Sequence, residues 1–257
     1  MAEEITHNTA TIFGEKGEDP ALLEAMAKAG VWYGRRKSKT NPRMRSFLFG
    51  TRNGVEIFDL PQTYDRIVRA GTFLQSVVAQ GGMILVVGTT PASQELAQGL
   101  ANRFGFPWVT ERWLGGTLTN FKTISLRLQH FLKLRADRDA GRLEKYTKKE
   151  RSDFDKEIRR LTTLFGGLEK LTEVPKAILV INAGAHETAI REALRLKIPV
   201  VTIMNSDSNP ETVPYAIPAN DSARASIAWI LEALSPYLEA GKAEAASKAV
   251  KEVGVKK

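Results

Sequence analysis

Cysteine is absent from all 257 residues. Its absence excludes disulfides, thiolate metal sites and cysteine nucleophiles, and fits a reducing compartment. Histidine is scarce too. His7, His130 and His186 stand far apart with no second ligand at metal spacing, and no Ser-His-Asp arrangement can be located from the sequence. No apolar run approaches the roughly 18 residues of a membrane-spanning helix. The opening MAEEITHNTATIFGEKGED is acidic where a signal or transit peptide is basic, so a cytoplasmic chain is expected. Phosphate-binding glycine motifs are missing as well. The stretch VVGTTPASQELAQG has only Gly88 ahead of its helix, without G-x-G-x-x-G or a Gly-Lys-Ser/Thr ending. A Rossmann-like nucleotide-binding enzyme therefore stands only as the alternative reading, and neither cofactor nor metal is expected.

Acid is missing from one long stretch. Gly30 to Arg52 carries Arg35, Arg36, Lys37, Lys39, Arg43, Arg45 and Arg52 and no Asp or Glu. Arg112 to Lys170 holds a second excess of +7, so the rest of the chain is net acidic although the whole is +8. Positive charge segregated in this way suits a polyanionic partner, because each neutralised phosphate releases counterions. The first stretch interleaves its cations with Trp32, Tyr33, Phe47 and Phe49, which are either base-stacking rings or core anchors. Arginine forks grip phosphate oxygens, and no single-strand motif is present, so the pattern predicts backbone and shape recognition of folded RNA.

Short aliphatic runs alternate with helical patterns. Gly82 to Gly88, Ala177 to Asn182 and Ile198 to Met204 read as strands buried on both faces, with Phe106 to Thr110 and Tyr215 to Pro218 as shorter candidates. Helices are predicted from Pro61 to Gly81, Pro91 to Arg103, His186 to Lys197 and Ser222 to Ala240. The alternation predicts an α/β fold, a three-layer α/β/α arrangement around a parallel sheet. More than 60 residues separate the strands near Thr110 and Ala177, too many for one crossover helix. Phe121, Ile124, Leu128 and Phe131, then Phe154, Ile158, Leu161, Phe165 and Leu168, keep coiled-coil spacing. We therefore expect an α-helical coiled-coil hairpin at 112–170 inserted into a discontinuous α/β/α domain (20–111 and 171–240), with flexible tails at 1–19 and 241–257.

The stretch RWLGGTLTNFKT, Arg112 to Thr123, joins the two parts. An arginine, two glycines and two threonines before a helix could hold a phosphate at the helix N-terminus. Alternatively Gly115 and Gly116 supply a bend, Thr117 or Thr119 caps the helix and Trp113 anchors the junction. The loop MNSDSNPETVP offers Asn205, Asp207, Asn209 and Glu211, better explained by turn chemistry than by a metal.

RWLGGTLTNFKTIS closely resembles the signature of the bacterial-type ribosomal protein S2 family of the small subunit. AGVWYGRRKSKTNPRM, FGTRNGVEIFDL, GGMILVVGT and VPKAILVINAGAHETAIREALRLKIPVVTIMNSDSNPETVPYAIPANDSARASI match in order, over roughly Leu22 to Leu238. The resemblance implies a flavodoxin-like domain with a protruding coiled-coil hairpin. It implies a structural, non-enzymatic constituent of the small (30S) ribosomal subunit in translation. Its partners would be small-subunit ribosomal RNA and neighbouring ribosomal proteins, the S1 protein among them. Carried over by position, the RNA-facing candidates are Arg35, Arg36, Lys37, Lys39, Arg43 and Arg45 in the first stretch, with Arg112 and Lys122 in the loop. The chain reads Trp32-Tyr33-Gly34-Arg35 where many relatives read HFGH, which removes two histidines and adds an arginine expected to face phosphate.

Overall fold

The structure, a computed structural model, describes residues 20–255. The acidic opening, expected as a tail, lies outside the described residues. Helix α1 (Pro20–Lys28) leads into a small antiparallel sheet built from the acid-free stretch: β1 (Tyr33–Arg36), β2 (Leu48–Arg52) and β3 (Val55–Phe58), in the order β1-β3-β2. Asn53 and Gly54, both at positive φ, make the tight turn between β2 and β3. Between β1 and β2 a 3-10 turn, Pro42–Phe47, is capped by the Asn41 side chain, which accepts from the Arg43 N–H at 3.0 Å. This sheet with its turns is termed the arm.

Helix α2 (Leu60–Ala79) follows, with Asp59 as its N-cap and Pro61 in its first turn. Then come β4 (Ile84–Val87), α3 (Gln94–Phe104), β5 (Trp108–Val109), α4 (Phe121–Asp139) and α5 (Lys148–Phe165). The chain closes with β6 (Ala177–Ile181), α6 (Glu187–Arg195), β7 (Val200–Met204), β8 (Tyr215–Pro218) and α7 (Arg224–Val255). Strands β4 to β8 form one parallel sheet in the order β5-β4-β6-β7-β8. Counted within the sheet this is 2-1-3-4-5, the flavodoxin-like order.

Every residue of β4, β6 and β7 is buried, which requires cover on both faces. Alternate residues serve alternate faces. Ile84, Val86, Leu179, Ile181 and Ile203 join a core with α1, α2, α3 and α7, while Leu85, Val87, Ile178, Val180 and Val200 join another with α4, α5 and α6. Three layers result. On the first face α2 and α7 approach so closely that a Cβ on Gly71 would lie 2.5 Å from the Tyr237 ring. Only a residue without a side chain allows that approach.

Two expectations need correction. Residues 241–255 are helical, continuing α7, where a flexible tail was expected. Gly241 sits against Gln75 and Val78, Gln75 donates to Glu244, and Lys248 donates to the Ala79 carbonyl at 3.2 Å, so α2 supports the extension. Helix α4 begins after Asn120, and neither Thr117 nor Thr119 caps it. The inserted helices α4 and α5 bury Ile124, Leu128, Phe131 and Phe165, with Leu168 just beyond α5, in a cluster shared with the sheet; Ile158 is also buried, while Phe154 and Leu161 stay half-buried.

Candidate nucleic-acid interface

The flavodoxin-like order places a crevice where the chain reverses direction, at the carboxyl ends of β4 and β6, the usual ligand position in such sheets. Here side chains close it. The Thr89 N–H donates to His186 Nε2 at 3.0 Å, and His186 Nδ1 lies 2.8 Å from the Asn182 carbonyl. This pattern requires a neutral ring with Nδ1 as donor. Burial lowers the His186 pKa against the opposing backbone hydrogen bonds, in keeping with that neutral state. Gln94 completes the closure by donating to the Thr110 carbonyl at 2.9 Å. His186, at the N-cap position of α6, is thus a buried strut only 2% exposed. Among the described residues, no group of His, Asp or Glu could hold a metal ion.

The loop from Arg112 to Asn120 follows β5, and its donors converge on one carboxylate of α6. Trp113 Nε1 and the Gly116 N–H donate to Glu192 Oε1 at 3.0 and 2.9 Å. The N–H groups of Leu118 and Thr119 donate to Oε2 at 3.1 and 3.2 Å, and the Thr119 hydroxyl lies 3.2 Å from the same oxygen. Gly116 has φ of +89°, a left-handed conformation that turns its N–H inward without a side-chain clash. Burial pushes the Glu192 pKa up, but hydrogen bonds from Trp113, Gly116, Thr119 and Leu118 outweigh it and hold the group below its ordinary value. The anion cradle suggested by RWLGGTLTN exists, and the protein fills it with its own carboxylate. Sequence spacing carried no sign of this, because Glu192 is 76 residues from Gly116.

Arg112 and Lys122 flank the cradle and remain exposed. Neither has a carboxylate within ion-pair distance among the described residues. Trp113 is half-buried at the junction.

The arm attaches at the same end of the sheet, against the loops that follow β7 and β8. Its docking point is the loop after β7. The Arg35 N–H donates to Ser206 Oγ at 2.8 Å, and the Asn41 N–H donates to the Ser206 carbonyl at 2.8 Å. The Arg35 guanidinium turns inward, with Nη2 3.2 Å from Asp221 and Nε 3.5 Å from Asp207. Asp221, 1% exposed, also accepts from Asn205 and Ser222, each at 3.0 Å. Burial raises the Asp221 pKa, and Asn205, Arg35 and Ser222 oppose the shift. Arg35, expected to face phosphate, balances a buried carboxylate and keeps 35% of its side chain exposed.

The other cations of the arm point outward. Arg36, Lys37, Lys39 and Arg45 are exposed, with no carboxylate at ion-pair distance among the described residues. Arg43 is exposed but pairs with Glu211 at 2.5 Å. Asp207 and Glu211 thus bind the arm, Asn205 donates to Asp221, and Asn209 caps a turn by accepting from the Glu211 N–H, so the loop's polar residues serve local structure. The rings divide as well. Trp32 is buried and Phe47 half-buried beneath the Arg66 guanidinium, whereas Tyr33 and Phe49 are 47% and 53% exposed.

Comparison with known proteins completes the picture. Residues 26–241 match the family model described as Ribosomal protein S2. A relative from Sorangium cellulosum named small ribosomal subunit protein uS2 is 41% identical over 84% of this chain and 78% of its own length. Proteins of the same name from Francisella tularensis subsp. novicida and Corynebacterium glutamicum are each 39% identical, over 82% and 86% of this chain and 89% and 84% of their own lengths. With the parallel sheet, the closed crevice and a match that spans both the arm and the inserted helices, the chain belongs to the ribosomal protein S2 family.

Proposed function

We propose that the chain is a structural, non-enzymatic constituent of the small ribosomal subunit and that it binds ribosomal RNA through the arm. The observation that carries this reading is the row of exposed, unpaired cations on a rigid support: Arg36, Lys37, Lys39 and Arg45. The arm's fixed docking presents these charges without a large ordering cost on binding. Arg43 joins them when RNA phosphate displaces Glu211, and Arg112 and Lys122 form a second contact beside the inserted helices. Arg35 supports the surface from within.

Helices α4 and α5 act in this reading as a coiled-coil hairpin whose outer cations reach RNA. Exposed Tyr33 and Phe49, set among the cations, suit a protein neighbour, the S1 protein included. The reading makes the protein cytoplasmic and ribosome-bound. Sucrose-gradient fractionation of a lysate tests it: the protein is expected to sediment with 30S particles, and recovery only from the soluble fraction overturns the assignment.

A further inference from the structure

Glu192 is the one buried carboxylate among the described residues that gathers donors from four residues of a distant loop. Its two oxygens accept from three backbone N–H groups, an indole N–H and a hydroxyl, all between 2.9 and 3.2 Å. Helix α4 begins two residues after the last of these donors, at Phe121. Around the cradle Leu118, Ile124, Phe165 and Leu168 pack with Ile190 and Ala193, the latter on the same helix as Glu192. Apolar contact of this kind holds the helices near the sheet but tolerates sliding and rotation. Directed hydrogen bonds to a single anion do not.

We propose that Glu192 is a positioning residue for RNA binding: its carboxylate serves as a built-in anion that locks the Trp113 to Thr119 loop and so fixes the direction in which α4 leaves the sheet. The lock presents the cations of the inserted helices in one orientation relative to the arm, so both patches engage a single RNA surface. This rests on the RNA-binding reading above. Without the anion, four inward N–H groups lose their acceptor. The loop then samples other conformations, and binding bears the penalty of selecting the competent one.

The absence of native cysteine makes the test clean. In the full chain, exposed Asn102 on α3 and exposed Gln129 on α4 are changed to cysteine and spin-labelled, and the distance distribution between them is measured by pulsed electron resonance. The parent should give a narrow distribution and Glu192→Ala a broad one. Added propionate should fill the vacated cradle and restore the narrow distribution, whereas neutral propionamide should not. Binding to small-subunit ribosomal RNA, measured in parallel, should weaken about tenfold if the competent orientation falls to about one in ten, and should recover with propionate.

Glu192→Gln keeps the shape but turns an amide donor toward the N–H groups. It should broaden the distribution without responding to propionate, and serves as the second variant if the alanine variant does not fold. A narrow distribution in both variants, or equal rescue by propionamide, overturns the lock. Broadening with RNA affinity unchanged overturns the positioning role. Failure of the parent itself to bind RNA instead removes the functional reading, while the distance measurement still decides whether Glu192 locks the loop.

Discussion

The loop at Arg112 to Asn120 and the arm at Tyr33 to Phe58 both resemble phosphate-binding elements, yet they handle charge in opposite ways. The loop is built of donors that face inward onto Glu192, a partner supplied by the protein itself. The arm directs Arg36, Lys37, Lys39 and Arg45 outward and uses a single cation, Arg35, inward to balance Asp221. Neutralisation within the fold separates a structural charge from a binding charge. A glycine-rich donor loop or a basic run therefore acquires its meaning only when its possible internal partners are known.

The contrast can be broken at each end. The largest expected effect follows removal of the internal anion. Glu192→Ala orphans several buried donors and should lower unfolding stability by about 3–5 kcal/mol in guanidinium denaturation. A loss below about 1 kcal/mol, the scale of an ordinary surface change, contradicts the cradle. Replacing Ile158, 2% exposed on α5, by Asp should cost a similar amount by burying an unpaired charge. An unmoved melting profile would contradict the burial of Ile158.

Next in size is Arg35→Ala. It leaves Asp221 buried with only Asn205 and Ser222 as partners, an expected loss of about 2–4 kcal/mol near neutral pH. The pH dependence gives this prediction its sign. A carboxyl group with a raised folded pKa binds its proton more readily in the native state, so stability falls as pH rises through that pKa. The Arg35→Ala deficit should thus shrink as pH falls and Asp221 takes up a proton. Glu192 behaves oppositely. Its folded pKa lies below the ordinary 4.5, so its contribution is present above that value and is lost as pH falls further. Denaturation series at several pH values in the parent, Arg35→Ala and Glu192→Ala should show these opposing trends. Parallel pH profiles would remove the distinction.

The smallest expected change in stability accompanies loss of the outward cations. Replacing Arg36, Lys37 and Lys39 by Ala should leave stability within about 0.5 kcal/mol. Removing Arg112 and Lys122 should be equally mild for the fold and should lower the salt slope of RNA binding by about 1 to 2, one step per phosphate contact. An unchanged slope in that double variant would confine RNA contact to other cations.

The parallel sheet was legible because Ile84 to Val87, Ala177 to Ile181 and Val200 to Met204 carry the aliphatic run of a doubly covered strand, with ends marked by Gly and Pro. The helices were legible from their spacing and from punctuation such as Pro61 and Gly81. The arm's small sheet was not. Its strands are short, and cations and Gly34 and Gly50 interrupt the alternation that reveals a half-buried strand. The extension of α7 was obscured by its alanine- and lysine-rich composition, whose support from Gln75, Val78 and Ala79 is visible only in three dimensions. The site was half legible. The exposed cations follow from charge counting, but the inward roles of Arg35, His186 and Glu192 depend on partners 186, 97 and 76 residues away.

The central claim is that outward cations of the arm, and not Arg35, neutralise RNA phosphate. The salt dependence of binding to small-subunit ribosomal RNA tests it directly, with the parent compared with the Arg36, Lys37 and Lys39 triple alanine variant at matched stability. The account predicts that the log-log slope becomes shallower by about 2 to 3 in the variant, since each phosphate contact contributes about 0.7 to 0.9. A slope equal to that of the parent would contradict it.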